Sequence, residues 1–161
     1  MEVVGIMATG NQDKYVVELV FKEWDTVIKH QIFGVMSEES KPCTDDKAEL
    51  IAMIKGVKIA NTFPQHKLTR IFWGDTSNYN CARNLLNMTK TLTYRDEVVK
   101  NRKLWMELKD VRGEVKFQKV TIGKVKEYHD NLKQLLKGEG VTHIVPDLTD
   151  AGISYEEWLK V

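Results

Sequence analysis

Ile71-Phe72-Trp73-Gly74-Asp75-Thr76-Ser77 places a single acid directly after a short apolar run. The segment Leu68–Trp73 has the composition of a buried strand, whereas residues 74–78 are polar and rich in turn formers. Asp75 therefore follows the carboxyl end of a predicted strand, where an α/β sheet can gather functional side chains.

Upstream of this strand, the sequence predicts further strands. Val3–Ala8, Tyr15–Phe21 and Thr26–Met36 are apolar runs rich in β-branched and aromatic residues, and residues 9–13 supply turn chemistry between the first two. Three strands joined by short turns predict an antiparallel meander.

Helical periodicity begins after the meander. Within residues 47–60, Leu50, Met53, Ile54 and Val57 recur at i, i+3, i+4 and i+7, and Thr44 is a suitable N-cap. Beyond residue 78, we expect helices over Asn80–Met88, Arg95–Arg112 and Lys124–Leu136, a strand over Val115–Ile122, and a C-terminal tail over 141–161 with a very short helix at Ser154–Glu157. The apolar members of the helix at 95–112 are Val98, Val99, Leu104, Trp105 and Leu108. This order predicts one α/β domain over residues 1–140.

Composition excludes several classes of protein. The chain has 161 residues, enough for one domain, and its 24 Lys and Arg nearly balance its 23 Asp and Glu. Cys43 and Cys81 lack the spacing of a zinc site, and no stretch approaches the length of a membrane span. We therefore expect an intracellular, cytoplasmic protein without a membrane partner.

Three acids lie where the predicted sheet could bring them together. Glu49 lies in the first turn of the first helix, Asp75 follows the fourth strand, and Asp130 lies in the last helix. Two-metal hydrolysis of a phosphodiester needs several carboxylates around two cations roughly 4 Å apart. Mg²⁺ suits this chemistry because it takes oxygen ligands and keeps exchangeable waters. The three acids are therefore candidate metal ligands.

Four motifs, in this order along the chain, resemble those of type 1 ribonuclease H. They are Thr44–Ala52, Ile71–Ser77, Asn101–Trp105 and Lys126–Leu132. The resemblance implies a ribonuclease H-like α/β fold: a five-stranded mixed sheet, with three antiparallel strands and then parallel strands, flanked by helices. It also implies that Glu49, Asp75 and Asp130 are catalytic residues that bind Mg²⁺ or Mn²⁺, with Glu49 positioning the attacking water. The implied reaction is cleavage of the RNA strand of an RNA/DNA hybrid.

The sequence departs from the family pattern at the site itself. Thr9 stands where the family's first strand has the aspartate of its "TDGS" motif, and a neutral hydroxyl cannot replace a bridging carboxylate. Asp13 is expected in the hairpin turn, and His129 is expected to face away from the last aspartate, one helical position further on. The glycine-rich loop and the histidine loop are both shortened. Asp45 and Asp46 replace asparagines that contact the hybrid, and their charge would repel phosphates.

Three functions are compatible with the sequence. The one we favour is a divergent ribonuclease H-like domain that binds an RNA/DNA hybrid or other nucleic acid with reduced or lost cleavage. A basic stretch over residues 90–126 supports it, although such lysines are also typical of a solvated helix face. The second is an active metal-dependent ribonuclease H, and the third is a protein-interaction module that docks through the tail at 141–161. The candidate nucleic-acid contacts are Asn11, Thr44, Asn78, Lys100, Lys103 and Lys124.

Overall fold

A mixed β-sheet with helices on both faces forms the centre of the protein in a computed structural model. The structure describes residues 2–23, 26–64, 70–83, 93–94, 97–98, 100–138 and 145–146. Its strands are β1 (Glu2–Gly10), β2 (Lys14–Glu23), β3 (Thr26–Val35), β4 (Ile71–Gly74), β5 (Thr93–Tyr94), β6 (Glu97–Val98), β7 (Lys116–Lys119) and β8 (Val145–Pro146). Its α-helices are α1 (Asp45–Ala60), α2 (Ser77–Arg83), α3 (Arg102–Val111) and α4 (Lys124–Leu136), and a 3₁₀ helix spans Glu38–Ser40.

The strand order confirms the predicted fold class. In the main sheet the strands run β7-β4-β1-β2-β3-β8. The first three strands form an antiparallel meander, and β4 and β7 continue the sheet in parallel on the far side of β1. This five-stranded arrangement is consistent with the ribonuclease H-like order. The tail contributes more than the sequence indicated, because β8 pairs with β3 as a short sixth strand.

Alternation along β1 assigns its side chains to two apolar layers. Ile6 and Ala8 face α1 and belong to the larger core, together with Trp105 and Leu108 of α3. Met7 faces the opposite layer, where the buried face of α4 packs against it. Each face of the sheet is therefore covered by helices, and Trp105 is a core residue, as the sequence predicts.

The predicted helix over 95–112 is wrong at those residues before Arg102 that the structure describes. There β6 pairs with β5, which precedes residue 95, so Val98 is in a strand and α3 begins only at Arg102. The backbone of Asn101 adopts a left-handed conformation, with φ of 60°, which interrupts any continuous helix at this point. The β-branched side chains of Val98 and Val99 also favour extended backbone.

Other element boundaries differ by a few residues. Helix α2 begins at Ser77 and is described to Arg83, so the remainder of the helix predicted to Met88 lies outside the described residues. The short helix predicted at 154–157 also lies outside them. Within the described residues, no helix combines the length and apolar character that a bilayer crossing requires.

Candidate functional site

The carboxyl ends of β1 and β4 meet the first turns of α1 at one edge of the sheet. Because β1 and β4 are parallel neighbours, Thr9 and Gly10 end the first strand beside the point where Asp75 follows the second. Helix α1 begins at this edge, capped by the Thr44 side chain, which accepts a hydrogen bond from the backbone N–H of Lys47. Glu49 is thereby placed against β1. We call this region the carboxylate edge.

Glu49 is bound to the strand end and not to the other predicted ligands. Its Oε1 accepts a hydrogen bond of 2.5 Å from the Thr9 hydroxyl and a longer one, of 3.3 Å, from the Gly10 backbone N–H. Burial raises the pKa of Glu49 to about 7, even though these two hydrogen bonds act to lower it. Its Oε2 is buried and has no hydrogen-bond partner among the described residues. Near neutral pH, Glu49 is therefore a mixture of acid and carboxylate.

Asp75 is surrounded by basic groups from α4. Its Oδ2 lies 2.5 Å from Nζ of Lys133 and 3.1 Å from Nζ of Lys126, and its Oδ1 lies 3.5 Å from Nδ1 of His129. Burial acts to raise the pKa of Asp75, but the hydrogen bonds and charges of these neighbours outweigh it and lower that pKa below its ordinary value. Asp75 is therefore an anion whose charge the protein itself compensates.

The place of His129 in this cluster was not predicted, since the sequence indicated only that it faces away from Asp130. His129 is 1 % exposed, and its Nε2 lies 3.2 Å from the backbone carbonyl of Ala8. It shares the sheet-facing stripe of α4 with Leu132 and Leu136, at i, i+3 and i+7. Burial lowers the pKa of His129, although the nearby Asp75 acts to raise it. The imidazole therefore lies within the carboxylate edge and has little contact with solvent.

Asp130 lies at the margin of the same cluster. Half of its side chain, 51 %, is exposed, and its Oδ1 bonds to Nζ of Lys126, one turn earlier in α4. One ligand atom each from Asp75, His129 and Asp130 lies within 4.8 Å of the others. The structure thus brings together two of the three predicted acids, and Glu49 is not part of that group.

The donor set does not fit a two-metal site. The Lys126 ammonium group contacts both Asp75 and Asp130, so it stands between the two carboxylates that a divalent cation would have to bridge. Lys133 contacts the same oxygen of Asp75. Glu49, with its raised pKa and its hydroxyl partner, is a poor ligand for Mg²⁺, which prefers charged oxygen donors. The residues at the carboxylate edge therefore do not form a site for metal-dependent hydrolysis.

Three predicted nucleic-acid contacts form local structure. The Asn11 side chain accepts two backbone hydrogen bonds of 2.9 Å within the β1–β2 turn, which also contains the exposed Asp13, as expected. Thr44 caps α1, and the Asn78 side chain donates to the backbone carbonyl of Asp46. These bonds stabilise turns and helix ends, and leave less hydrogen-bonding capacity for a ligand.

The predicted basic contacts lie near or within the first turns of two helices. Lys100 and Lys103 are exposed around the beginning of α3. Lys124 is the first residue of α4, and its side chain lies outside the described part of the protein. The structure does not gather these lysines with Asn11, Thr44 and Asn78 into one described pocket.

A second feature, missed by the sequence reasoning, is an open groove between α1, α3 and the end of β3. We call it the basic groove; its volume is about 820 Å³. Its basic lining residues are Lys47, Lys55, Lys58, Arg102 and Lys103, and its acidic ones are Glu39 and Glu107. The corresponding signal in the sequence is the recurrence of lysine along one side of α1, outside the basic stretch at 90–126.

The roles of Lys126, Lys133 and His129 were also missed. Their spacing in α4 is readable from the sequence, but a helical stripe of mixed basic and apolar residues does not reveal which strand end it meets.

A scan against protein-family models gives no match, and no curated protein matches the chain. The geometry of the described residues is therefore the basis on which a function is proposed.

Proposed function

We propose that this protein is a nucleic-acid-binding domain of ribonuclease H-like architecture that does not hydrolyse its ligand. The observation that carries the proposal is the pair of lysine ammonium groups on Oδ2 of Asp75. In two-metal hydrolysis, cations with open coordination positions activate water and stabilise the leaving oxygen. An ammonium group neutralises a carboxylate but offers no such position, so it supports the structure of the edge without supporting that reaction.

The Thr9–Glu49 contact supports the same conclusion. A second carboxylate at Thr9 would be needed to bridge two cations, but the hydroxyl there donates to Glu49 and adds no charge. The carboxylate edge therefore carries one compensated anion, one acid with a pKa of about 7, and one half-exposed aspartate.

Binding is supported by the distribution of charge. The formal net charge is only +1, yet five lysine and arginine side chains line one groove with two glutamates. A concentration of basic groups on one surface attracts a phosphate backbone even when the whole protein is nearly neutral. Fold alone does not assign a function, so this charge distribution and the altered edge are the grounds for the proposal.

The experiment combines a binding and a cleavage assay on the wild-type protein. Fluorescence anisotropy with labelled RNA/DNA hybrid, single-stranded DNA and single-stranded RNA should show binding with a dissociation constant on the order of micromolar at low salt. Incubation of the same hybrid with Mg²⁺ or Mn²⁺ should give no cleavage above background. The Thr9→Asp variant should also remain inactive, because Lys126 and Lys133 still occupy Asp75.

Two outcomes would overturn the proposal. Cleavage by the wild-type protein that Asp75→Asn abolishes would make it a metal-dependent nuclease despite the lysines. Absence of binding to every nucleic acid at low salt would instead favour the hypothesis of a protein-interaction module that docks through its C-terminal tail.

A further inference from the structure

Helix α1 has lysines on the side that lines the basic groove and acids on the side that faces β1. Lys47, Ile51, Ile54 and Lys58 recur along α1 at i, i+4, i+7 and i+11, so they share one side of the helix. They all line the groove. The acids of the first turns of α1 lie on the other side, where Glu49 meets β1. A phosphate approaching the groove therefore meets these lysines, together with Glu39 and Glu107, but not the acids of the carboxylate edge.

Helix α3 supplies the opposite wall. Arg102 and Lys103 are exposed at its N-terminus and line the groove together with Asn101. The partial positive charge of a helix N-terminus acts in the same direction as these side chains. Further along, Nζ of Lys58 lies 2.6 Å from Oε1 of Glu107, and this ion pair links α1 to α3. The walls are thus cationic at one end and held together at the other.

The lining between the walls is largely apolar. Ile51 and Leu104 are partly buried and pack against the main core, and Met36 is buried at the end of β3. Val35, 81 % exposed, also lines the groove. An exposed valine beside a row of cations suits a ligand with both apolar and anionic parts.

Single-stranded nucleic acid combines these properties. Its unpaired bases offer flat faces and its phosphates are spaced along a flexible backbone, so proteins bind it with a cationic groove and with side chains that pack against the bases, typically aromatic ones. Here Ile51 and Leu104 would provide an aliphatic surface for the bases. A volume of about 820 Å³ lies within the roughly 300–1,000 Å³ typical of small-ligand sites. The groove therefore has room for a short stretch of one strand.

Building on the proposed function, we propose that the basic groove is the binding site and that it takes a short single-stranded segment of nucleic acid. The strand's phosphates contact Lys55, Arg102 and Lys103, and its bases lie against Ile51 and Leu104. The carboxylate edge is then outside the binding site, which places the ligand away from Asp75.

The test compares nucleic-acid binding by a variant with reversed charges in the groove and by a control variant with the same number of reversed charges elsewhere on the surface. The groove variant carries Lys55→Glu, Arg102→Glu and Lys103→Glu, and the control carries Lys22→Glu, Lys116→Glu and Lys137→Glu at exposed positions outside the groove. Both variants change the net charge equally, and thermal unfolding verifies that both are folded. Binding of labelled oligo(dT) and of a DNA duplex is measured by anisotropy over a range of salt concentrations.

We expect the groove variant to bind oligo(dT) at least about tenfold more weakly than the control, with a reduced dependence of affinity on salt, because phosphate contacts release counterions. The wild-type protein should bind oligo(dT) more tightly than duplex or inorganic polyphosphate of similar charge.

Equal binding by the two variants would overturn the groove as the site while leaving the proposed function intact. Equal affinity for oligo(dT) and polyphosphate would overturn the single-stranded ligand. Loss of all binding by the wild type would overturn both proposals.

Discussion

At the scale of single residues, the balance of charge at the carboxylate edge depends on how each acid is compensated. Asp75 has two ammonium groups within 3.1 Å and stays ionised. Among the described residues, Glu49 accepts hydrogen bonds only from a hydroxyl and a backbone N–H, and it is largely desolvated. The pKa values of the two acids are therefore shifted in opposite directions: that of Glu49 is raised and that of Asp75 is lowered.

Glu49 should make the stability of the protein depend on pH. Its pKa is about 7 in the folded state and about 4.5 when unfolded, so the folded protein binds the extra proton between these values. The free energy of unfolding should fall as pH rises from 4.5 to 7, by on the order of 3 kcal/mol from this group. Glu49→Gln should remove that dependence, so its stability relative to wild type should be higher at pH 8 than at pH 5. Urea unfolding at both pH values checks this.

Substitution of an exposed glutamate, Glu114→Gln, is the matched control for this experiment. If Glu49→Gln and wild type have parallel stability profiles across this range, then Glu49 is not the titrating group.

At the scale of secondary-structure elements, the junction of β4 and α2 holds Asp75 in place. Tyr79 of α2 is fully buried, and its ring lies directly over Gly74, the last residue of β4. A Cβ atom at Gly74 would lie 1.8 Å from the Tyr79 ring, so only glycine permits this approach. The tyrosine hydroxyl is also 3.4 Å from the Ala8 carbonyl oxygen, which links α2 to β1. The glycine before Asp75 is thus a packing requirement.

Gly74→Ala should lower the free energy of unfolding by about 3 kcal/mol, because an overpacked core must shift backbone or ring to accept the methyl group. Tyr79→Leu alone should also destabilise, since it removes buried volume. The double variant should lose less than the sum of the two, because the smaller side chain gives the methyl group room. Chemical denaturation of all four proteins provides the cycle, and strict additivity would show that the ring is not what excludes a side chain at Gly74.

At the scale of the whole molecule, nearly equal numbers of acidic and basic residues conceal an uneven arrangement. The basic groove lies on one flank of α1 and the carboxylate edge on the other, so α1 divides the two. Helix α4 contributes its lysines to the edge, where they compensate Asp75. Binding should therefore depend on ordinary ionic attraction in the groove and not on a metal ion.

Affinity for nucleic acid should consequently fall by roughly tenfold to a hundredfold between about 50 and 200 mM salt, as expected for a few phosphate contacts on a single strand. The same affinity should persist in EDTA. Anisotropy titrations at each salt concentration, with and without the chelator, provide the measurement. Weaker binding in EDTA at constant ionic strength would show that a divalent cation takes part, contrary to the proposed function.

Local sequence by itself determined the strands of the meander and helix α1 with its Thr44 cap, whereas the parallel continuation of the sheet was expected only from the resemblance to ribonuclease H. The meander strands and α1 depend on periodicity and capping within short stretches, so these signals can be recognised without knowing the tertiary structure. The left-handed Asn101 and the β5–β6 ladder escaped prediction, because Val98 and Val99 suit a helical pattern and a strand alike.

Only the tertiary structure decided the chemistry of the carboxylate edge. Lys133 and Asp75 are 58 positions apart, and Thr9 and Glu49 are 40 apart. The burial of Leu132 and Leu136 against the sheet determines which side of α4 faces the strands. This orientation of the helix places Lys126, Lys133 and His129 next to Asp75. The sequence specifies the stripe on the helix, but packing between distant elements decides what that stripe contacts.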